Sequence, residues 1–186
     1  MTDPGNYRPI AVLSPFAKIL ERLVYNQLSH FLEKENILFK YQFGFRKNYS
    51  TEQAIVELTD NLKMKIDSNE AICSIFLDLS KAFDTVKHQI LLQKLYRYGV
   101  RGVPLQWFKS YLKSRTQYVE VENVKSNPLS IQCCVLQGSV LGPLLFLICI
   151  NDIPNCLEKA NIRTFADDTM HSMATLPTLY RTLKKL

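Results

Sequence analysis

Ile162-Arg163-Thr164-Phe165-Ala166-Asp167-Asp168-Thr169-Met170-His171-Ser172-Met173 is the stretch on which the fold turns. Residues 162–166 and 169–173 read as two short strands, with Asp167-Asp168 at the tip of their hairpin. Acids are common in such turns because their carboxylates bond nearby backbone and tolerate unusual dihedrals. Alone, the tetrapeptide Phe165-Ala166-Asp167-Asp168 is therefore either an ordinary turn or a carboxylate pair aimed at solvent or a metal.

A second stretch narrows the choice. Residues 71–79 form a short apolar run with little alternation, as expected of a strand covered on both faces, and the run carries Asp78 near its end. A carboxylate buried there without compensation is costly, so Asp78 calls for a cation or a metal. Carboxylates from a strand end and a hairpin can hold two Mg²⁺ ions about 3.5–4 Å apart, a pair that activates a 3′-hydroxyl and stabilises a leaving pyrophosphate. Oxygen-only ligands and substrate phosphates suit magnesium, with Mn²⁺ as a substitute, and no His/Cys cluster offers a competing zinc site.

Around these two stretches the helical period dominates. Residues 18–32 place Ile19, Leu20, Leu23, Val24, Leu28, Phe31 and Leu32 on one wide apolar stripe. A second helix begins near Ser50, where Ser50-x-x-Gln53 can form a capping box, and its apolar face is Ala54, Ile55, Leu58, Leu62 and Ile66. Helical spacing returns over residues 86–98 and ends at Gly99, while Pro104 suits the first turn of a further helix anchored by Trp107 and Tyr111. Residues 117–121 and 129–136 read as hairpin partners, and 141–150 as a buried helix. The sum is an α+β chain with a small antiparallel sheet and packed helices.

Bulk composition agrees and excludes little. The 186 residues suit one domain or one and a half, and 47% hydrophobic with 22% charged residues excludes disorder by composition. Lysine and arginine outnumber acids 23 to 17, and the net charge of +6 is compatible with a polyanionic partner. Five cysteines without a Cys-x-x-Cys motif read as small buried hydrophobes rather than disulfides. Residues 1–8 do not resemble a secretory signal, and the apolar run 140–150 is about half a membrane span. The expected setting is intracellular, nuclear or cytoplasmic, without membrane; the oligomeric state is open.

The ordered strings carry a resemblance. FLDLSKAFDTV (residues 76–86), QGSVLGPLLF (137–146) and FADDT (165–169) resemble motifs A, B and C of reverse transcriptases of non-LTR, LINE-like retrotransposons. Upstream, residues 6–24 and 42–54 resemble the fingers motifs, and 99–119 follows the same pattern. The resemblance implies a polymerase fingers/palm fold: a fingers-like region 1–70 and a partial palm 71–186, with 99–130 as a connection. It further implies an RNA-directed DNA polymerase acting on an RNA template, a DNA primer and deoxynucleoside triphosphates. Asp78, Asp167 and Asp168 would be the metal-binding catalytic triad, and Leu79 would lend a backbone carbonyl. Phe83 would fill the place of a ribonucleotide 2′-hydroxyl, and Gln137 and Gly138 would approach the nucleotide. Arg46, and secondarily Arg8, would grip phosphate.

Three departures accompany it. The family usually reads Gly-Val-Pro-Gln-Gly where this chain has Cys134-Val135-Leu136-Gln137-Gly138, and Phe165 stands where tyrosine is common. No sequence for later palm motifs, thumb or endonuclease follows Leu186, so the reading expects a domain truncated after motif C, with a catalytically dead, nucleic-acid-binding remnant as the alternative.

Overall fold

The computed structural model describes residues 10–70, 72–79, 81–113, 115–156 and 161–173. These fall into two compact units, one drawn from residues up to 30 and 81–149, the other from 31–80 and 150 onward.

In the first unit α1 (Pro15–Lys34) is followed by α3 (His88–Arg97), α4 (Gly102–Leu112) and α5 (Gly142–Ile150), with the end of α1 and Ile150 belonging to the second unit. Helix α5, Gly-Pro-Leu-Leu-Phe-Leu-Ile-Cys-Ile, has no polar face, and Leu144, Leu145, Phe146, Leu147 and Ile148 are all buried. A helix apolar all round can only be a core helix. Leu91 and Leu95 of α3 and Phe108 and Leu112 of α4, one turn apart in each helix, add to that core. Helix α3 ends as the sequence indicates. Gly99 takes φ +98°, with Gly99 N–H donating to Tyr96 O at 3.1 Å and Val100 N–H to Leu95 O at 3.0 Å, the two bonds of a Schellman stop. The expected hairpin of 117–121 with 129–136 is shorter and doubled. Strand β2 (Thr116–Gln117) pairs with β5 (Leu129–Ser130), and inside them β3 (Glu120–Val121) pairs with β4 (Val124–Lys125). All four are exposed, so no buried face holds a longer ladder together.

The second unit holds α2 (Thr51–Asp67) and one antiparallel sheet in the order β1 (Cys73–Leu77), β7 (Asp168–Met173), β6 (Asn161–Phe165). The capping box forms: Ser50 Oγ accepts from Gln53 N–H and the Gln53 side chain accepts from Ser50 N–H. Helix α2 is tied to β6 by an ion pair of 3.0 Å between Arg163 and Glu57.

Two expectations need correction. Strand β1 is not covered on both faces: it is an edge strand whose residues alternate, and Phe76 is 73% exposed. The stripe on α1 is also rotated. Ile19, Leu20 and Leu23 are exposed, whereas Glu21, Leu28 and Leu32 are buried. A carboxylate sits on the inward face because it has backbone N–H donors to meet there.

Among the described residues no helix is long and apolar enough to cross a membrane. Cys73, Cys133 and Cys134 are free thiols.

Candidate active site

The acids are placed by strand register. Leu77 faces Thr169 across the β1–β7 ladder, which sets Asp78, one residue past β1, beside Asp168 at the first position of β7. Both line a cleft of about 340 Å³ within the second unit, walled by Ala54, Ile55 and Leu58 of α2 and by Phe43, Phe76 and Met170. Asp167 is half-buried at the second position of the two-residue turn and is not part of the cleft wall. Asp78 is exposed, so the burial cost expected of a covered strand does not arise. What singles the site out instead is two neighbouring carboxylates on one cleft. Among the described residues none makes an ion pair with Asp78, Asp167 or Asp168. Among the described residues no group of three or more His, Cys, Asp or Glu is drawn together as a ready-made metal cluster. The donor chemistry nonetheless fits a hard cation, because the cleft presents two carboxylates with no ion-pair partner among the described residues; Arg163, which shares the cleft wall, pairs instead with Glu57 at 3.0 Å. Leu79, partly exposed, follows Asp78 directly.

Upstream, the loop before α2 lies along β6. Phe43 N–H donates to Thr164 O at 2.9 Å and Thr164 N–H to Tyr41 O at 3.0 Å, so this loop extends the sheet by one bridge beyond β6. Arg46, expected at a phosphate, makes its described contacts within the protein. Its guanidinium grips Glu33 through Nε at 3.0 Å and Nη2 at 2.7 Å, donates from Nη1 to Phe39 O at 3.0 Å, and lies over the Tyr49 ring. With a side chain only 6% exposed and its fork already filled, Arg46 is spent on holding the loop, and a phosphate would have to displace Glu33. Arg8 lies outside the described residues.

Phe83, Gln137 and Gly138 belong to the first unit. The Phe83 ring stacks on Phe146 of α5, centroids 4.5 Å apart, and Phe83 O accepts from Val135 N–H at 2.9 Å. Cys134 N–H donates to Val86 O at 2.8 Å, so the loop entering α5 is zipped to the turn carrying Phe83. Gln137 O accepts from Ala11 N–H at 2.8 Å, and Gly138 sits at φ +92° with an added Cβ only 3.0 Å from Ala11 O. Glycine is required at 138 by the dihedral and by this close approach of the chain to itself. Glu21, 2% exposed, completes the loop: its carboxylate accepts from Val140 N–H at 2.7 Å, Leu141 N–H at 3.4 Å and Tyr111 O–H at 2.6 Å.

The family described as "Reverse transcriptase (RNA-dependent DNA polymerase)" matches residues 2–186. The chain belongs to the reverse transcriptase family. It is 38% identical over 179 residues to the Drosophila melanogaster protein described as "Probable RNA-directed DNA polymerase from transposon BS", covering 89% of this chain and 19% of that protein. It is 35% identical over 178 residues to the RNA-directed DNA polymerase from mobile element jockey of the same organism, covering 90% and 19%. This reverse transcriptase segment thus spans about a fifth of the length of these non-LTR relatives. Among solved structures, apo telomerase from Candida tropicalis superposes with a TM-score of 0.64 at 14% identity, covering 91% of this chain and 36% of that one. A second structure of that telomerase gives 0.65 at 12% identity over 89% and 30%. At such identities the likeness shows the fold, which is that of a polymerase fingers and palm.

The departure in motif B of this reverse transcriptase now has a geometric reading. Cys134 takes φ +95°, a region that glycine enters freely and a β-carbon resists, which is why glycine is usual there. Cys134→Gly should therefore stabilise the protein by about 1 kcal/mol, raising Tm by roughly 2–4 °C in a thermal melt. An unchanged or lower Tm would show that the cysteine is not strained. Burial, then Asp84 and Cys133, push the Cys134 thiol above its usual range.

Glu21, Gln42 and Gly44 were missed as structural supports of the motifs. Glu21 had a signal: it shares the helical spacing of Leu28 and Leu32, an inward register for a carboxylate. Its hydroxyl partner reports on it. Burial, with the bond to and charge of Glu21, pushes Tyr111 up to about 12. Since the folded value lies above the unfolded 10, the linked stability is fully present below pH 10 and is lost as pH rises through about 12. Tyrosinate absorbance, with Tyr111→Phe as reference, should show this group titrating lower in Glu21→Gln, yet still above 10 because burial persists.

Proposed function

We propose that this reverse transcriptase domain performs RNA-directed DNA synthesis, joining deoxynucleotides to a primer 3′-hydroxyl on an RNA template. The observation that carries the reading is the placement of Asp78 and Asp168 on one cleft, without an ion-pair partner among the described residues, in a chain matched to the family over residues 2–186. Asp78, Asp168 and Asp167, with the Leu79 carbonyl, are the groups that would hold two Mg²⁺ ions. When bound, such ions stabilise charge on the attacking and leaving oxygens. The residues' own task is to keep carboxylates close together without an ion-pair partner among the described residues, so that a cation from solution can be held there. Phe83, held flat on Phe146, presents a bulky ring suited to rejecting a 2′-hydroxyl. Gln137 and Gly138 offer a backbone loop fixed from two sides. Arg46 is left out of the nucleotide contacts because Glu33 occupies its fork. The division into fingers (1–70) and palm (71–186) is part of the same proposal. One telomerase neighbour is described in complex with a fragment of telomeric RNA, which supports an RNA partner.

Primer extension tests it. The segment is assayed alone and grafted in place of the matching fifth of the jockey polymerase, with RNA template, DNA primer and Mg²⁺ or Mn²⁺. Divalent-dependent incorporation that prefers deoxynucleotides over ribonucleotides is expected from the graft. A folded graft that incorporates nothing would overturn the reading in favour of a dead remnant.

A further inference from the structure

The turn that carries Asp167 holds an improbable backbone, and one buried side chain accounts for it. Ala166, the first turn residue, takes φ +57° although it is not glycine. The peptide it shares with Asp167 decides where both aspartates point. Gln42, 4% exposed, reaches this residue from the preceding loop. Its Oε1 accepts from Ala166 N–H at 3.0 Å and from Gly44 N–H at 2.8 Å, and its Nε2 donates to Ala166 O at 3.4 Å. Only an oxygen can accept from two N–H groups, which fixes which way round the amide sits. Gly44 lets the loop lie this close, since an added Cβ would stand 2.2 Å from Ala166 N.

We propose that Gln42 is a positioning residue for the catalytic hairpin: its amide clamps both backbone groups of Ala166 and so sets the aspartates to receive divalent cations. A glutamine suits this because it offers acceptor and donor at the same head, and no carboxylate or lysine does both. The inference rests on the polymerase reading above. A charged clamp would also place its charge beside Asp167 and Asp168; the neutral amide leaves the site's charge to the aspartates.

The intact 186-residue chain is examined as wild type, Gln42→Leu, Gln42→Asn, Asp168→Asn and Leu38→Ala, the last an unrelated core truncation in the same unit. Amide exchange of Ala166 and Asp167 is followed without metal, and Mn²⁺ affinity by titration. Both Gln42 variants should accelerate Ala166 exchange at least tenfold and weaken Mn²⁺ about tenfold, whereas Leu38→Ala lowers Tm and leaves both unchanged. If the leucine variant does not fold, the asparagine variant, one methylene too short to reach, decides alone. Unchanged exchange and unchanged Mn²⁺ affinity in a folded Gln42 variant overturn the clamp. Mn²⁺ binding that survives Asp168→Asn overturns the polymerase-site reading instead, so the two failures are distinct.

Discussion

Asp78→Asn should abolish primer extension, lowering the rate by about 10³-fold or more, while leaving the metal-free protein slightly more stable than before. Asparagine keeps the size of the side chain and removes the charge that would bind the cation. A thousandfold corresponds to about 4 kcal/mol of transition-state stabilisation, the scale of losing a metal-held charge contact. Stability moves the other way because Asp78 is exposed and stands beside Asp168 without an ion-pair partner among the described residues. Removing one of two like charges relieves repulsion, an exchange of activity for stability that is common at functional sites. The same pair of variants separates metal binding from folding. Saturating Mn²⁺ should raise the wild-type Tm, by linkage worth about 2.7 kcal/mol at a hundred times its Kd, and should barely move that of Asp78→Asn. An Asp78→Asn protein that extends primers at a tenth of the normal rate would remove this residue from the chemistry.

Gly44→Ala should cost about 3–4 kcal/mol, because the added methyl has no room. The added carbon would meet Ala166 N at 2.2 Å, Ala166 Cα at 2.8 Å and Ala166 Cβ at 2.9 Å. These are backbone-anchored atoms, which cannot swing aside as the tip of a flexible side chain could. Gly44 is not at a positive φ, so the demand is for space and not for a dihedral. Relief requires the loop to lift from β6, and that breaks the bonds of Phe43 and Thr164 and those of the Gln42 amide to Ala166. At about 1 kcal/mol each these bonds give the quoted loss, which a thermal melt reads as a fall of roughly 10 °C. A Tm within 2 °C of wild type would mean that the loop does not pack this closely. A variant that folds should also bind Mn²⁺ more weakly, because the turn beneath the aspartates has lost its support.

Where periodicity and turn chemistry act locally, the sequence was enough. The Ser50–Gln53 capping box, the stop at Gly99, the all-apolar α5 and the hairpin around Asp167-Asp168 all form as read, because each depends on residues within a few positions of one another. The ordered motifs determined the family as well, and with it the three aspartates to examine. What lies between distant segments was not legible. Nothing near Arg46 announces that Glu33, thirteen residues earlier, fills its fork, nor does anything near Glu21 announce the backbone N–H groups of residues 140–141. The apolar run around Asp78 predicts a buried charge in a covered strand, and only the sheet order makes it an exposed carboxylate at an edge. The register Leu77↔Thr169 then put it beside Asp168. Local rules determine which elements form and which acids they carry, since dihedral preference and hydrophobic period are properties of neighbours in the chain. Which carboxylate meets a cation, a backbone amide or open solvent is decided by segments from 13 to 120 residues apart, and only tertiary packing brings those together.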